Sequence, residues 1–330
     1  MKKAACSLRK VSEEWLMGRH LEVKESTIAN YRYILEHYLL PALGRCRTDQ
    51  LDTERIRRLT GEMEQKKLNP STIGKALVIL GMIQEYAGKQ GYPVVERCEI
   101  RIPQKRKKNI SVLTEEEQGR LLGYLLGKEC PLRPGIRAGI LLSLCTGLRI
   151  GEVCALKWRD LNLGRGILSV EKTLSRVYME KAQNGKKTRI SISDPKTENS
   201  RREIPLPEFL TEELRKIREE RYQSREFYVL TGAPWPMEPR SYSYHFDKVR
   251  RELGLEKCNY HMLRHTFATK CVETGFDLKS LSEILGHSNV STTMNLYAHP
   301  TMRMKRDYME KLSSSLFSAV SQPSPTETEL

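Results

Sequence analysis

The stretch HMLRHTFAT (His261–Thr269), followed by LGHSNVSTTMNLY (Leu285–Tyr297), decides how this chain is read. His261 and Arg264 are three residues apart in a helical stretch and so share a face. Leu263, Phe267 and Cys271 mark a separate apolar stripe, and Gly275 reads as the stop. Tyr297 follows His287 by ten residues, and Ser291 is placed to cap a short helix, Thr292–His299, that carries it. Working outward, TGLRIGE (Thr146–Glu152) holds Arg149 and, three residues on and on the same helical face, Glu152. PKTENSRREIP (Pro195–Pro205) holds Lys196 between the strand-like stretches Thr188–Ser193 and Arg202–Leu206, a setting that predicts the turn of a hairpin. Two arginines, a lysine, two histidines and a late tyrosine are what phosphoryl transfer to a protein hydroxyl needs. A guanidinium stays charged and its planar fork matches phosphate oxygens. A phenol titrates near 10 and needs a group to take its proton, and histidine titrates near neutrality.

Each residue also has an ordinary reading. Arg149 alone is a surface arginine or an ion-pair partner. His261 and His265 are spaced i,i+4 as in a zinc helix, but Arg264 lies between them and no glutamate follows His261. His265 therefore reads as a packed core histidine. Lys196 competes with Lys172, Lys186 and Lys187, and Tyr297 with the other thirteen of fourteen tyrosines, Tyr308 nearest among them; His299 is a further neighbouring rival. The weight lies in four motifs, in order, over about half the chain.

In order and flanking residues these motifs resemble the tyrosine recombinases, or phage integrase family, closely in the C-terminal part and in general character before it. The resemblance implies a mainly α fold with a small β-sheet or hairpin, arranged as a two-domain C-shaped clamp: a helical core-binding domain and a mixed α/β catalytic domain. It implies that Tyr297 attacks a DNA phosphodiester, leaving a 3′-phosphotyrosyl bond and a free 5′-hydroxyl. Arg149 and Arg264 then stabilise the phosphorane, His261 accepts the phenol proton, Lys196 protonates the leaving oxygen, and His287 hydrogen-bonds the phosphate. An acidic residue at the place of Glu152 buttresses the site. The ester conserves the bond energy, so neither metal, ATP nor other cofactor is implied. The implied partners are double-stranded DNA carrying recombination sites, further copies of the chain in a tetramer, and accessory directionality factors. Integration or excision of a mobile element is the leading role; a Xer-like dimer resolvase or an invertase is the alternative within the class. Outside it stand a non-catalytic DNA-binding regulator with the same fold and a type IB topoisomerase-like enzyme.

Composition agrees with a polyanionic partner. The chain has 330 residues, enough for two cored domains, and a formal net charge of +15. No apolar run is long enough for a membrane span, and MKKAACSLRK lacks the apolar stretch of a signal peptide, so a cytoplasmic protein is expected. The eight cysteines form no CxxC pair and read as reduced.

The boundaries expected are a helical domain over 1–100, a basic linker over 101–113, a catalytic domain over 114–317 and a disordered tail over 318–330. In the helical domain, Glu13–Val23 is a candidate helix. Ser26 caps a second that Pro41 ends, Thr53 begins a third, and a cap near Ser71 opens a fourth that stops near Gly88 and Gly91. That domain begins near residue ten, so no separate arm-binding domain is expected. The linker run Lys105, Arg106, Lys107 and Lys108 would lie along phosphates. Thr114 with Glu117 is a capping box that starts the second domain. MRMKRDYMEKLSSSLFSAV after Tyr297 is amphipathic, suited either to a neighbouring protomer, as the resemblance implies, or to its own domain.

Overall fold

The computed structural model describes residues 3–19, 21–95, 111–183, 186–194, 201–221, 224–297 and 302–320. The basic run Lys105–Lys108, Lys196, His299 and all but the first residues of the expected tail lie outside them. The chain forms two compact units, Met1–Asn109 with Ser175–Ser191, and Ile110–Leu174 with Ile192–Leu330.

The first unit is built on α1 (Leu8–Arg19), α2 (Glu25–Ile34), α3 (Leu40–Leu43), α4 (Thr53–Gln65) and α5 (Pro70–Lys89). Their apolar faces bury Trp15, Leu77, Leu80 and Ile83 in one core. Several starts differ from the sequence reading by a few residues. The α2 helix begins at Glu25, ahead of Ser26, and α5 begins at Pro70, capped by the Asn69 carboxamide, which accepts from the Ser71 amide at 2.9 Å. Pro41 does not end its helix. Residues Leu35–Leu39 form one wide π turn, and Pro41 follows in the first turn of α3, where a missing N–H is tolerated.

The second unit starts with α6 (Glu115–Leu126), opened by the predicted box: Thr114 Oγ1 accepts from the Glu117 amide, and the Glu117 carboxylate from the Thr114 amide. Next comes α7 (Pro134–Thr146), buried nearly all round, as an apolar helix without a polar stripe must be. Burying each of its leucines and isoleucines contributes about 1.5–3 kcal/mol. It leads through a tight turn to α8 (Ile150–Ala155). Among the described residues five strands follow: β1 (Leu161–Asn162), β2 (Ile167–Val170), β3 (Thr173–Gln183), β4 (Lys186–Ser193) and β5 (Arg202–Pro205). The chain closes with α9 (Glu208–Arg221), α10 (Pro239–Glu252), α11 (Tyr260–Glu273), α12 (Leu278–Leu285), α13 (Val290–Tyr297) and α14 (Met302–Val320).

The fold is thus mainly α with small sheets, as expected, but one pairing differs. The order is β1-β2-β5 in one sheet, while β3 pairs with β4 in another. In the first, Leu168 faces Ile204 and Val170 faces Arg202 across an antiparallel pair. The strands flanking Lys196 therefore belong to different sheets and do not pair with each other as the arms of a hairpin. Local propensity shows two strands; which edge each finds is a long-range matter. Most of β3 and β4 groups with the first unit, where Tyr178 donates to the Glu36 carboxylate at 2.8 Å and packs edge-on to Tyr33. Among the described residues no helix is long and apolar enough to cross a membrane.

Candidate active site

Two glycine turns build the site. After Thr146, Gly147 takes φ +68°, ending α7 in the left-handed conformation, and its amide donates to Ser143 O at 3.0 Å. A Cβ there would lie 2.6 Å from the Phe267 ring, so glycine is required by both backbone and packing. The turn delivers Arg149 to the N-cap position of α8 rather than into its body. At the end of α12, Gly286 takes φ +63°, and the His287 amide donates back to Ser282 O at 3.0 Å, a Schellman closure. That closure leaves the carbonyls of Ile284, Leu285 and Gly286 beyond the helical ladder, at the negative end of the helix dipole.

Three arginines meet those carbonyls. Arg264, buried on α11, donates from Nη1 to Gly147 O at 2.7 Å and from Nη2 to Leu285 O at 2.8 Å. Arg149 donates from Nη2 to Gly286 O at 3.1 Å and from Nη1 to Glu152 Oε1 at 2.8 Å. Its side chain keeps 37% of its surface open, so it can still take a ligand. Glu152 is 4% exposed, and its Oε2 also accepts the Arg149 amide at 2.9 Å. Burial pushes the Glu152 carboxyl up, but Arg202 and Arg149 outweigh it and hold it below the usual carboxylate range. Glu152 is therefore an anion at neutral pH.

The histidines are held neutral. Burial, then the cations Arg264 and Arg149, push His287 down to about 4. His287 Nε2 lies 2.8 Å from Arg264 Nη2, and Nδ1 lies 2.8 Å from Thr293 Oγ1. A guanidinium can only donate, so Nε2 is the acceptor and Nδ1 carries the proton toward Thr293. His261 is reached by solvent, yet the protein packed around it, then Arg264 and Arg149, lower its pKa. His265 is half-buried edge-on to His261, with ring centroids 4.5 Å apart, and is pushed down to about 4 by burial first and His261 second. It matches the packed histidine expected.

Tyr297 is the last residue of α13, one turn beyond the fully buried Thr293. That helix starts at Val290, with Asn289 accepting from the Ser291 amide at 2.8 Å, so Asn289 and not Ser291 is its cap. The structure thus brings together Arg149, Glu152, Arg264 and His287, with His261 three residues before Arg264 on α11.

Arg202 and Thr293 went unnoticed in the sequence. Arg202 donates to both carboxylate oxygens of Glu152, at 3.2 and 3.0 Å, and from Nε to Ile284 O at 2.5 Å. A signal for it existed. Strand alternation puts Arg202 on the face of Ile204 and Leu206, where a charge must find a partner, while Arg201 points outward and pairs with Asp194 at 3.2 Å. Thr293 carries no comparable local mark.

Residues 111–304 match the model of the phage integrase family, and residues 7–63 that of the phage integrase N-terminal SAM-like domain. Among curated relatives, a XerC-like tyrosine recombinase of Caldanaerobacter subterraneus subsp. tengcongensis is 29% identical, over 78% of this chain and 70% of its own. Tyrosine recombinase XerA of Thermococcus onnurineus is 26% identical over 92% and 96%. In fold, the chain is similar to the Tn1549 transposon integrase in complex with transposon right-end DNA. The TM-score is 0.76 at 22% identity, over 93% of this chain and 100% of that one. A lambda integrase dimer bound to a core site gives a TM-score of 0.63 at 17% identity, over 89% and 77%.

Proposed function

The chain belongs to the phage integrase family, the tyrosine recombinases that transfer DNA strands in site-specific recombination, and on that premise we propose that Tyr297 is its nucleophile. The Tyr297 oxygen bonds to phosphorus as the bond from phosphorus to the 5′-oxygen breaks. Neutral His261 takes the phenol proton, and Lys196 gives one to the leaving oxygen. Arg149 and Arg264 meet the charge that grows on the non-bridging oxygens. The phosphotyrosyl ester conserves the bond, so the 5′-hydroxyl of a second strand can reverse the step without ATP. The helical unit and the basic run Lys105–Lys108 grip the duplex backbone, and four protomers complete the exchange between two sites.

The observation that carries this reading is the gathering of Arg149, Arg264 and His287 on one glycine turn, thirteen residues or fewer before Tyr297 in the case of the turn itself. The biological role we favour is integration and excision of a mobile element, which the likeness to a transposon integrase fold supports. The XerC-like and XerA relatives favour a second reading, resolution of DNA dimers.

The test is covalent trapping. Nicked duplexes drawn from DNA flanking the gene are incubated with the protein, with and without chelator, and resolved on a denaturing gel. A covalent band that carries a 5′-end label and is joined through the 3′-phosphate, indifferent to chelator, is expected. Tight binding with no band on any substrate would leave a regulator. Plasmids with one site each, or two in direct repeat, then separate integration from resolution.

The lowered pKa of His261 sets the pH profile. The base must be neutral, so the capture rate should hold below pH 6.5, the usual histidine value, and fall only on further acidification. Stability follows the same sign. Because His287 and His265 bind protons more readily unfolded, the protein should be most stable above pH 6.5 and lose stability as pH falls towards about 4. Urea midpoints at pH 7, 5.5 and 4.5 measure this, and a midpoint unchanged over that range would show that neither histidine is held neutral by the fold.

A further inference from the structure

Three guanidiniums from three different elements fall on three successive carbonyls. Arg202 of β5 takes Ile284, Arg264 of α11 takes Leu285, and Arg149 of the turn before α8 takes Gly286. Like charges gathered in this way repel, and burial strengthens the repulsion. Among the described residues, the Glu152 carboxylate is bonded within the group and is shared by Arg149 and Arg202. The partial negative charge of the α12 C-terminus opposes that repulsion as well.

We infer that Arg202 is a positioning residue for the two arginines that meet the scissile phosphate, holding Glu152 and the α12 turn together so that Arg149 and Arg264 are spaced by consecutive carbonyls. The inference rests on the recombinase reading. Arg202 is unsuited to touching DNA itself, because its side chain is 6% exposed and its donors are engaged with Glu152 and Ile284. Its pair with Glu152 is fork on fork, Nη1 donating to Oε1 and Nη2 to Oε2, a geometry lysine cannot copy. Without it, among the described residues the Glu152 carboxylate is anchored by Arg149 alone, the residue it has to orient. The glycine in LGH also follows from this contact. A Cβ on Gly286 would lie 2.8 Å from Arg202 Nη1, so the turn keeps the guanidinium's place open.

The experiment compares two DNA substrates that differ in charge at the scissile phosphate: the natural phosphodiester, and a methylphosphonate in which a methyl group replaces one non-bridging oxygen. The transition state of the second carries less charge and needs the arginines less. Arg202→Lys should slow covalent capture of the phosphodiester by about 10–100-fold, the scale of a displaced transition-state contact. Its effect on the methylphosphonate should stay within about threefold, with duplex binding unchanged. Gly286→Ala, which presses on the same guanidinium, should discriminate in the same direction. Equal losses on both substrates, or no loss on the phosphodiester, overturn the proposal. So does loss of duplex binding in both variants, because the contact would then serve the fold and not the reaction. If the wild-type chain captures neither substrate, it is the recombinase reading that fails.

Discussion

Tyr297→Phe is expected to abolish covalent capture of DNA while leaving duplex affinity within about threefold, because phosphate and base contacts made elsewhere carry binding. The substitution removes a single oxygen. No other atom on that ring can displace a 5′-oxygen, so the loss should be complete and not graded. The variant should also keep the fold, because α13 is docked by Thr293, fully buried with its hydroxyl 2.8 Å from His287 Nδ1, one turn before Tyr297. A denaturing gel of trapped complexes, beside a binding titration, decides the matter. A band that survives points to another tyrosine. Tyr308 is the first to examine, since it lies on α14 and is exposed. Loss of binding together with the band makes Tyr297 structural.

Glu152→Ala should have the largest effect on stability. It leaves Arg202, 6% exposed, without the carboxylate that accepts two of its hydrogen bonds. Breaking a buried pair on one side costs roughly 3–5 kcal/mol, because the remaining charge is uncompensated. At roughly 2–4 °C per kcal/mol for a unit of this size, melting should fall by roughly 6–20 °C. Arg149 loses the partner of Nη1 and of its amide, so capture should fall by about 100-fold as well. The double variant Glu152→Gln with Arg202→Met separates the two effects. Replacing both charges with neutral groups of similar size should restore most of the stability, yet not the rate. Recovery of both would mean the pair serves only the fold; a melting point unmoved by Glu152→Ala would mean it is not buried as described.

Much of this site was legible in the sequence because its signals are local. Helix starts and stops are written in hydrogen bonds that span a turn. Thr114 with Glu117 opens α6, Asn259 accepts from the Met262 amide to open α11, and Gly147 and Gly286 end α7 and α12. Arg149, Glu152, Arg264 and His287 stand out because they sit in motifs whose order and flanking residues resemble the tyrosine recombinases, and the structure places them in or near those turns. Reading by turns also has a characteristic error. Lys24, Asn69 and Asn289 take the helix starts assigned to Ser26, Ser71 and Ser291, since several neighbouring polar residues can serve and packing selects among them.

Amino-acid order by itself determined the helix punctuation, the buried run of α7 and the set of titratable groups that four motifs bring forward. Tertiary structure alone decided that β4 pairs with β3 while β5 pairs with β2, and that Arg202 closes on a carboxylate 50 residues away and a carbonyl 82 residues away. The difference is physical. A cap or glycine turn satisfies backbone groups within four or five residues of itself, so its cause lies beside it. A sheet edge or a buried guanidinium takes whichever partner the folded chain carries to it, and no neighbour in sequence names that partner.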